Sequence, residues 1–324
     1  MADGLKDRLR AAARALLGEP TAGPLGARPT PAPRPAPGAP APAVRVDGLS
    51  NLVVVVLDSC RWDTWQRALP RMKHLGRLGE AERRFAYASW TAPSHYNLLT
   101  GLLPHRSPSG VFASEVYKDE YLAYSERLGR EVEFADLLPG LWLPGFLRSL
   151  GYRTGARVSL PVLNPATGIN RDFDSYRLMP SHNDFGAILD DVGFADDRPS
   201  FWMLNVGETH YPYALAGEDP GELPHVSGVH GVAKRLGAGQ PVAASEAPDF
   251  FAEERMGALH QRQVDALVGL DRHLERLYDL VPENTWIIVT ADHGELFGEG
   301  GYFGHGPIQH EAVFAVPFVE GRLR

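Results

Sequence analysis

Cysteine is all but missing from this chain of 324 residues, with Cys60 its single representative. No internal disulfide framework can form, and no four-cysteine zinc site. Long apolar runs are missing as well. No run of about eighteen apolar residues occurs, so no segment reads as a membrane-spanning helix. Positive charge is scarce: 32 lysines and arginines face 40 aspartates and glutamates, a formal net charge of -8. Such a balance gives no broad footprint for nucleic acid. The first residues, MADGLKDRLRAAARALLG, lack the apolar core of a signal peptide, because Lys6, Asp7, Arg8 and Arg10 interrupt it. They read as a frayed, helix-like leader. With neither a signal peptide nor a spanning helix in view, a cytoplasmic location is expected.

Residues 20–43, PTAGPLGARPTPAPRPAPGAPAPA, consist mostly of proline, alanine and glycine. They can neither pair their backbone nor bury much side chain, so residues 1–43 are expected to be a leader and linker. Residues 44–324 are then one catalytic domain, long enough to bury a large core without a staple.

That domain opens on NLVVVVL, residues 51–57, a continuous apolar run of strand length that suits a central parallel strand covered on both faces. The run ends in Asp58, which is either a ligand or a helix cap, and a helix-like stretch is expected over 72–83. WTAPSH, residues 90–95, precedes an apolar helical run stopped by Gly101 and Pro104. The hydroxyls of Thr91 and Ser94 have an ordinary use there as helix caps. A helix start also offers free N–H groups to an incoming anion, and a threonine there is placed to attack it if a metal ion activates the hydroxyl.

Further strands are expected over 153–159 and over 200–206, with a polar connection over 179–188. The strand SFWMLNV empties into Glu208, Thr209 and His210, and the histidine is a credible acid or anion contact. Residues 215–248 form a long irregular insertion carrying His225 and His230, read as surface histidines. A helix follows over 250–280, with Asp265 and Asp271 expected to face solvent. The strand TWIIVTA, residues 285–291, then delivers Asp292 and His293 to the mouth of a sheet, and a glycine-rich loop brings His305.

Four stretches taken together carry a family resemblance. They are LDS at 57–59 with Arg61 and Asp63 behind it, WTAPSH followed by LLTGLLP, THYPY at 209–213, and TADHGELFGEGGYFGHG at 290–306. In this order they make the chain resemble the sulfatase branch of the alkaline phosphatase superfamily. The resemblance implies an α/β fold with a large central, mostly parallel (mixed) sheet sandwiched by helices. It implies that Asp58, Asp292 and His293 ligate metal, with Thr91 as the nucleophile that also touches it. His210 would contact the transferred group or protonate the leaving oxygen, and His305 would be a further contact across the pocket. One or two divalent ions are expected; the mixed carboxylate and imidazole shell favours zinc or manganese over magnesium or calcium.

Two departures sharpen the reading. Dedicated sulfatases of the family carry cysteine or serine, any residue, proline, any residue, arginine, and oxidise the first residue to formylglycine. Here Thr91 and His95 hold the first and last positions, and the threonine methyl group forbids oxidation to an aldehyde. Ser59 stands where a second aspartate is common, which leaves one ion or two open. The expected activity is metal-dependent hydrolysis of a phosphoester, in the first place a phosphodiester, or transfer of its phospho group. The alternatives are a sulfate-ester hydrolase acting without formylglycine and a non-catalytic binding protein on the same fold. The expected partner is a small phosphoester or sulfate ester. After the last motif too few residues remain for the family's C-terminal subdomain, so an open pocket is expected, completed by a second copy, a partner or the proline-rich arm.

Overall fold

A computed structural model of the protein describes residues 48–106, 123–131, 142–194, 197–224, 252–306 and 308–323. The leader and linker expected over 1–43, most of the insertion over 215–248, and His225 and His230 lie outside the described residues.

The apolar run becomes β1 (Asn51–Leu57), with every residue buried. Its neighbours are β5 (Ser200–Val206) and β6 (Thr285–Ala291), both parallel to it, with Val54 opposite Met203 on one side and Ile288 on the other. Outward from β5 run β3 (Arg153–Val158) and β4 (Ser175–Leu178), again parallel. Beyond β6 the direction reverses: β9 (Ala315–Leu323) pairs antiparallel with β6, and β2 (Glu82–Phe85) antiparallel with β9. The sheet order is β2-β9-β6-β1-β5-β3-β4. It is the mixed, mostly parallel sheet expected from the sequence.

Alternation along β1 divides the core in two. Val53, Val55 and Leu57 join one apolar cluster, and Leu52, Val54 and Val56 join another. Side chains on successive strand residues point to opposite faces, so a strand apolar throughout needs cover on both. On the first face lie α1 (Trp62–Ala68), α4 (Phe185–Asp190) and α5 (Glu253–Leu280), which contribute Trp65, Ile188, Leu267 and Leu274. On the second lie α2 (Thr91–Leu99) and α3 (Leu143–Ser149), which contribute Leu98, Leu99 and Leu147. A short α6 (Glu311–Phe314) leads into β9. A two-stranded ribbon, β7 (Leu296–Phe297) with β8 (Phe303–Gly304), stands on the loop after β6.

Several local expectations give way. Residues 72–83 hold a short 3-10 turn and the start of β2, where a helix was expected; the helix after β1 is α1. The connection over 179–188 contains α4, capped by the Asp184 carboxylate, which accepts from the Ala187 N–H at 2.8 Å. Asp271 is buried, against the expectation that it faces solvent. Its carboxylate accepts from the backbone N–H groups of Lys73, His74 and Leu75 and so places a polar lock to the chain beyond α1 within α5's mostly apolar buried side. Asp265 is half-exposed and pairs with Arg71. Such locks are tertiary, and no periodicity reports them.

Candidate active site

The C-terminal ends of β1, β5 and β6 bring together the residues that the sequence spreads from 58 to 293. Asp58 follows β1, and the helix that starts nearby has Arg61 as its N-cap with no side-chain cap, so Asp58 is not spent on capping. Its Oδ2 accepts from Asn205 Nδ2 at 2.9 Å, and its Oδ1 from Ser59 Oγ at 3.3 Å. Asp292 Oδ1 accepts from the Ser59 and His293 N–H groups at 3.1 and 2.9 Å. Its other oxygen, Oδ2, is buried without a hydrogen-bond partner. His293 Nδ1 lies 2.8 Å from the Gly294 carbonyl, which can only accept. The proton is therefore on Nδ1, and Nε2 turns a lone pair toward the carboxylates.

One atom from each of Asp58, Asp292 and His293 lies within 4.8 Å of the other two, and all three residues are buried. Two buried carboxylates and an imidazole lone pair form a donor set suited to a divalent cation. The orphaned Asp292 Oδ2 supports that fit, because a buried oxygen without a partner costs about 1–3 kcal/mol unless something binds it. Burial raises the pKa of Asp292 well above the usual carboxylate range, and the nearby Asp58 adds to it. Burial acts on Asp58 too, but His210, His293, His95 and Asn205 outweigh it and hold that carboxyl below its ordinary value. The His293 pKa falls to about 3, through burial and then His305.

Thr91 is the first residue of α2, and neither it nor Trp90 caps the helix with a side chain. Its buried hydroxyl lies 3.4 Å from Asp58 Oδ1 and 3.3 Å from His293 Nε2. Ser94 donates to the Ala88 carbonyl at 3.2 Å and stands apart from the cluster. His305 faces the site from the ribbon loop, its ring centroid 4.4 Å from that of His293 and 5.4 Å from that of His210. Burial opposes the His305 cation, but Glu295, with help from Asp58, outweighs it and raises the pKa. His210 is anchored by its Nδ1 on the Tyr211 carbonyl at 2.9 Å. All six residues expected at the site are thus gathered.

Others went unread in the sequence. His95 is fully buried, with Nδ1 2.9 Å from the Thr91 carbonyl and 3.5 Å from Asp292 Oδ2. Asn205 is the one polar residue among the apolar positions of its strand's middle, a signal that was available. Glu295, in the same motif as Asp292, is buried and lies 3.6 Å from His305 through Oε2. Gly294 sits where a Cβ would come within 2.1 Å of the Ala312 carbonyl, so only glycine lets the ligand loop lie against α6. Asp63 is engaged by Arg61 at 2.7 Å and is no substitute for the missing second aspartate.

Glu208 lies beside this site but joins a different set of contacts. Its Oε1 accepts from the Phe185 N–H at 2.6 Å, and its Oε2 is buried without a hydrogen-bond partner. Burial raises its pKa to about 7. An unfolded glutamate titrates near 4.3, so the folded state holds an extra proton between these values. The associated stability is fully present below about pH 4.3 and is lost as pH rises through about 7, a difference on the order of 3–4 kcal/mol. Glu208→Gln is expected to flatten that decline, as read from unfolding midpoints at about pH 5 and about pH 8. Equal pH dependence in the two proteins would remove Glu208 as its source.

The sulfatase family profile matches residues 50–319. The chain belongs to the sulfatase family. Solved structures with a similar fold extend the comparison. The C-terminal periplasmic domain of EcEptC from Escherichia coli is 12% identical, with 85% of this chain and 73% of that one covered and a TM-score of 0.49. The integral membrane protein lipooligosaccharide phosphoethanolamine transferase A (EptA) from Neisseria meningitidis is 15% identical, covers 86% of this chain and has a TM-score of 0.51. This sulfatase-family chain spans about half (49%) of that protein. BT4656, in complex with its substrate D-glucosamine-2-N,6-O-disulfate, is 14% identical, with 85% of this chain and 71% of that one covered and a TM-score of 0.52. Among curated proteins none matches the chain. The expected cytoplasmic location does not stand, because the structures of similar fold include an integral membrane protein. Among the described residues no helix is long and apolar enough to cross a membrane.

Proposed function

We propose that this sulfatase-family protein is a metal-dependent phosphoester hydrolase or phospho-group transferase with Thr91 as its nucleophile, carried by residues 44–324 as one catalytic domain. The observation that carries the reading is the Thr91 hydroxyl at 3.3–3.4 Å from two of the three residues that can hold a divalent cation. Asp58, Asp292 and His293 would hold the ion. When bound, it would lower the pKa of the Thr91 hydroxyl and draw charge from the phosphoryl oxygens.

The residues themselves account for the remaining steps. Thr91 Oγ1 attacks phosphorus in line and gives its proton to Asp58 Oδ1, 3.4 Å away. As the bond from phosphorus to the leaving oxygen breaks, that oxygen takes a proton from His305 or His210. The N–H groups of α2's first turn favour the anionic phosphoryl group. Water or an acceptor alcohol then attacks phosphorus and gives its proton to the histidine that protonated the leaving group, the bond to Thr91 Oγ1 breaks, and the threonine recovers its proton from Asp58.

Threonine separates this reading from formylglycine-dependent sulfate-ester hydrolysis. Cys60 offers no substitute, since it is fully buried and burial pushes its thiol pKa up, with Asp63 adding to the rise. Transfer to an alcohol is supported by the phosphoethanolamine transferase among the similar structures, and action on sulfate by the sulfated sugar bound to BT4656. Matched aryl phosphodiester and aryl sulfate substrates, each with and without an alcohol acceptor, separate these outcomes. Phosphodiester turnover exceeding sulfate turnover is expected. The reverse preference would overturn the phosphoester reading, and no turnover of either would favour a binding protein.

A further inference from the structure

Gln263 interrupts the apolar side of α5 between Leu259 and Leu267, and it is fully buried. A buried amide is costly unless each of its groups finds a partner. Here each does. Nε2 lies 2.9 Å from the Ser59 carbonyl, 2.9 Å from the Thr209 carbonyl and 3.2 Å from Glu295 Oε1, all acceptors. Oε1 accepts from Thr64 Oγ1 at 2.6 Å, and that hydroxyl oxygen in turn lies 2.9 Å from His260 Nε2. Rotating the amide by half a turn would set its oxygen against three acceptor oxygens, so the contacts fix a single orientation.

The three acceptors sit on the loops after β1, β5 and β6, and each is tied to a residue of the site. Ser59 N–H donates to Asp292 Oδ1. Thr209 Oγ1 donates to the Asp58 carbonyl at 2.7 Å. Glu295 Oε1 is occupied by Gln263 and by the Tyr213 hydroxyl at 2.7 Å, which leaves Oε2 to face His305 Nδ1. One side chain from a helix outside the sheet therefore reaches all three loops that present Asp58, His210 and Asp292.

We propose that Gln263 is a positioning residue that sets the spacing of these three loops, and through it the geometry of the cation ligands and of His305. The proposal rests on the phosphoester reading only for its turnover readout. Partners that orient metal ligands typically contribute about 10- to 100-fold in affinity or activity.

Gln263→Met keeps an unbranched side chain of similar length and removes all four hydrogen bonds. Gln263→Glu keeps the size and the bond from Thr64 but turns an oxygen toward the three acceptors. Each is compared with the wild type below its unfolding temperature, with kcat, KM and the affinity of the metal-free protein for Mn(II) measured by calorimetry. Methionine is expected to lower kcat and Mn(II) affinity by at least about tenfold, with KM changing less, and glutamate to lower them further. Thr64→Val, which leaves the three Nε2 contacts in place, is expected to stay within about threefold of the wild type in both. Folded Gln263→Met or Gln263→Glu protein with wild-type kcat and Mn(II) affinity would overturn the proposal. So would Thr64→Val losses equal to those of the Gln263 variants. If the wild type turns over no phosphoester, the Mn(II) titration alone decides.

Discussion

Thr91→Ala is expected to lower turnover by at least about 10³-fold while leaving divalent-cation binding intact, because the nucleophile is lost and the three ligand residues are kept. Thr91→Ser, which keeps the hydroxyl and removes the methyl group, is expected to retain measurable turnover. The serine loses the rotamer restriction of a β-branched side chain, so its oxygen is held less firmly between Asp58 and His293. A covalent course adds a second observable. Wild-type protein quenched in acid during turnover should carry phosphate on the peptide containing Thr91, and the alanine variant should not. Turnover by Thr91→Ala within about tenfold of the wild type would rule out threonine as the nucleophile.

Removing the divalent cation is expected to abolish turnover and to lower the unfolding temperature, with both restored by adding zinc or manganese. Asp58 and Asp292 are both buried, and Asp292 Oδ2 has no hydrogen-bond partner. The cation would supply that partner and relieve the repulsion between the carboxylates. An ion present at about 100 times its dissociation constant adds about 2.7 kcal/mol to the folded state. The pH dependence follows from the raised pKa of Asp292, set by burial and then by Asp58. Without the ion that carboxyl keeps its proton at pH values where an ordinary aspartate has lost it, and cation binding must displace the proton. Affinity is therefore expected to rise with pH until the proton is lost without the ion, and binding to release protons. Calorimetry in buffers of different ionisation enthalpy measures the release. Turnover that survives exhaustive chelation would exclude a required cation.

Much of the fold could be read from the chain because the central strands announce themselves. NLVVVVL, SFWMLNV and TWIIVTA are short, apolar and β-branched or aromatic, and each becomes a parallel strand buried along nearly its whole length. The edges were harder. β2 and β4 are four residues each, half-exposed and rich in charged or polar side chains, so no apolar pattern marks them. β2 forms because β9 offers it a partner from more than two hundred residues away. Asp271 shows the same limit on a helix: its charge suggested solvent, and three backbone N–H groups from a distant turn gave it a buried place.

By itself the sequence determined the kind of chemistry available. It supplied a carboxylate at the end of β1, an Asp-His pair at the end of β6 and a threonine opening a helix, and the threonine methyl group decided against formylglycine. These are properties of residue type and of position relative to local elements. Only the tertiary structure decided that Thr91 lies between Asp58 and His293, that one oxygen of Asp292 is left without a hydrogen bond, and that Gln263 ties the three loops together from α5. Those facts depend on distances between residues far apart in the chain. Such distances are set by packing the sheet and its two helical layers, and local propensity carries no record of them.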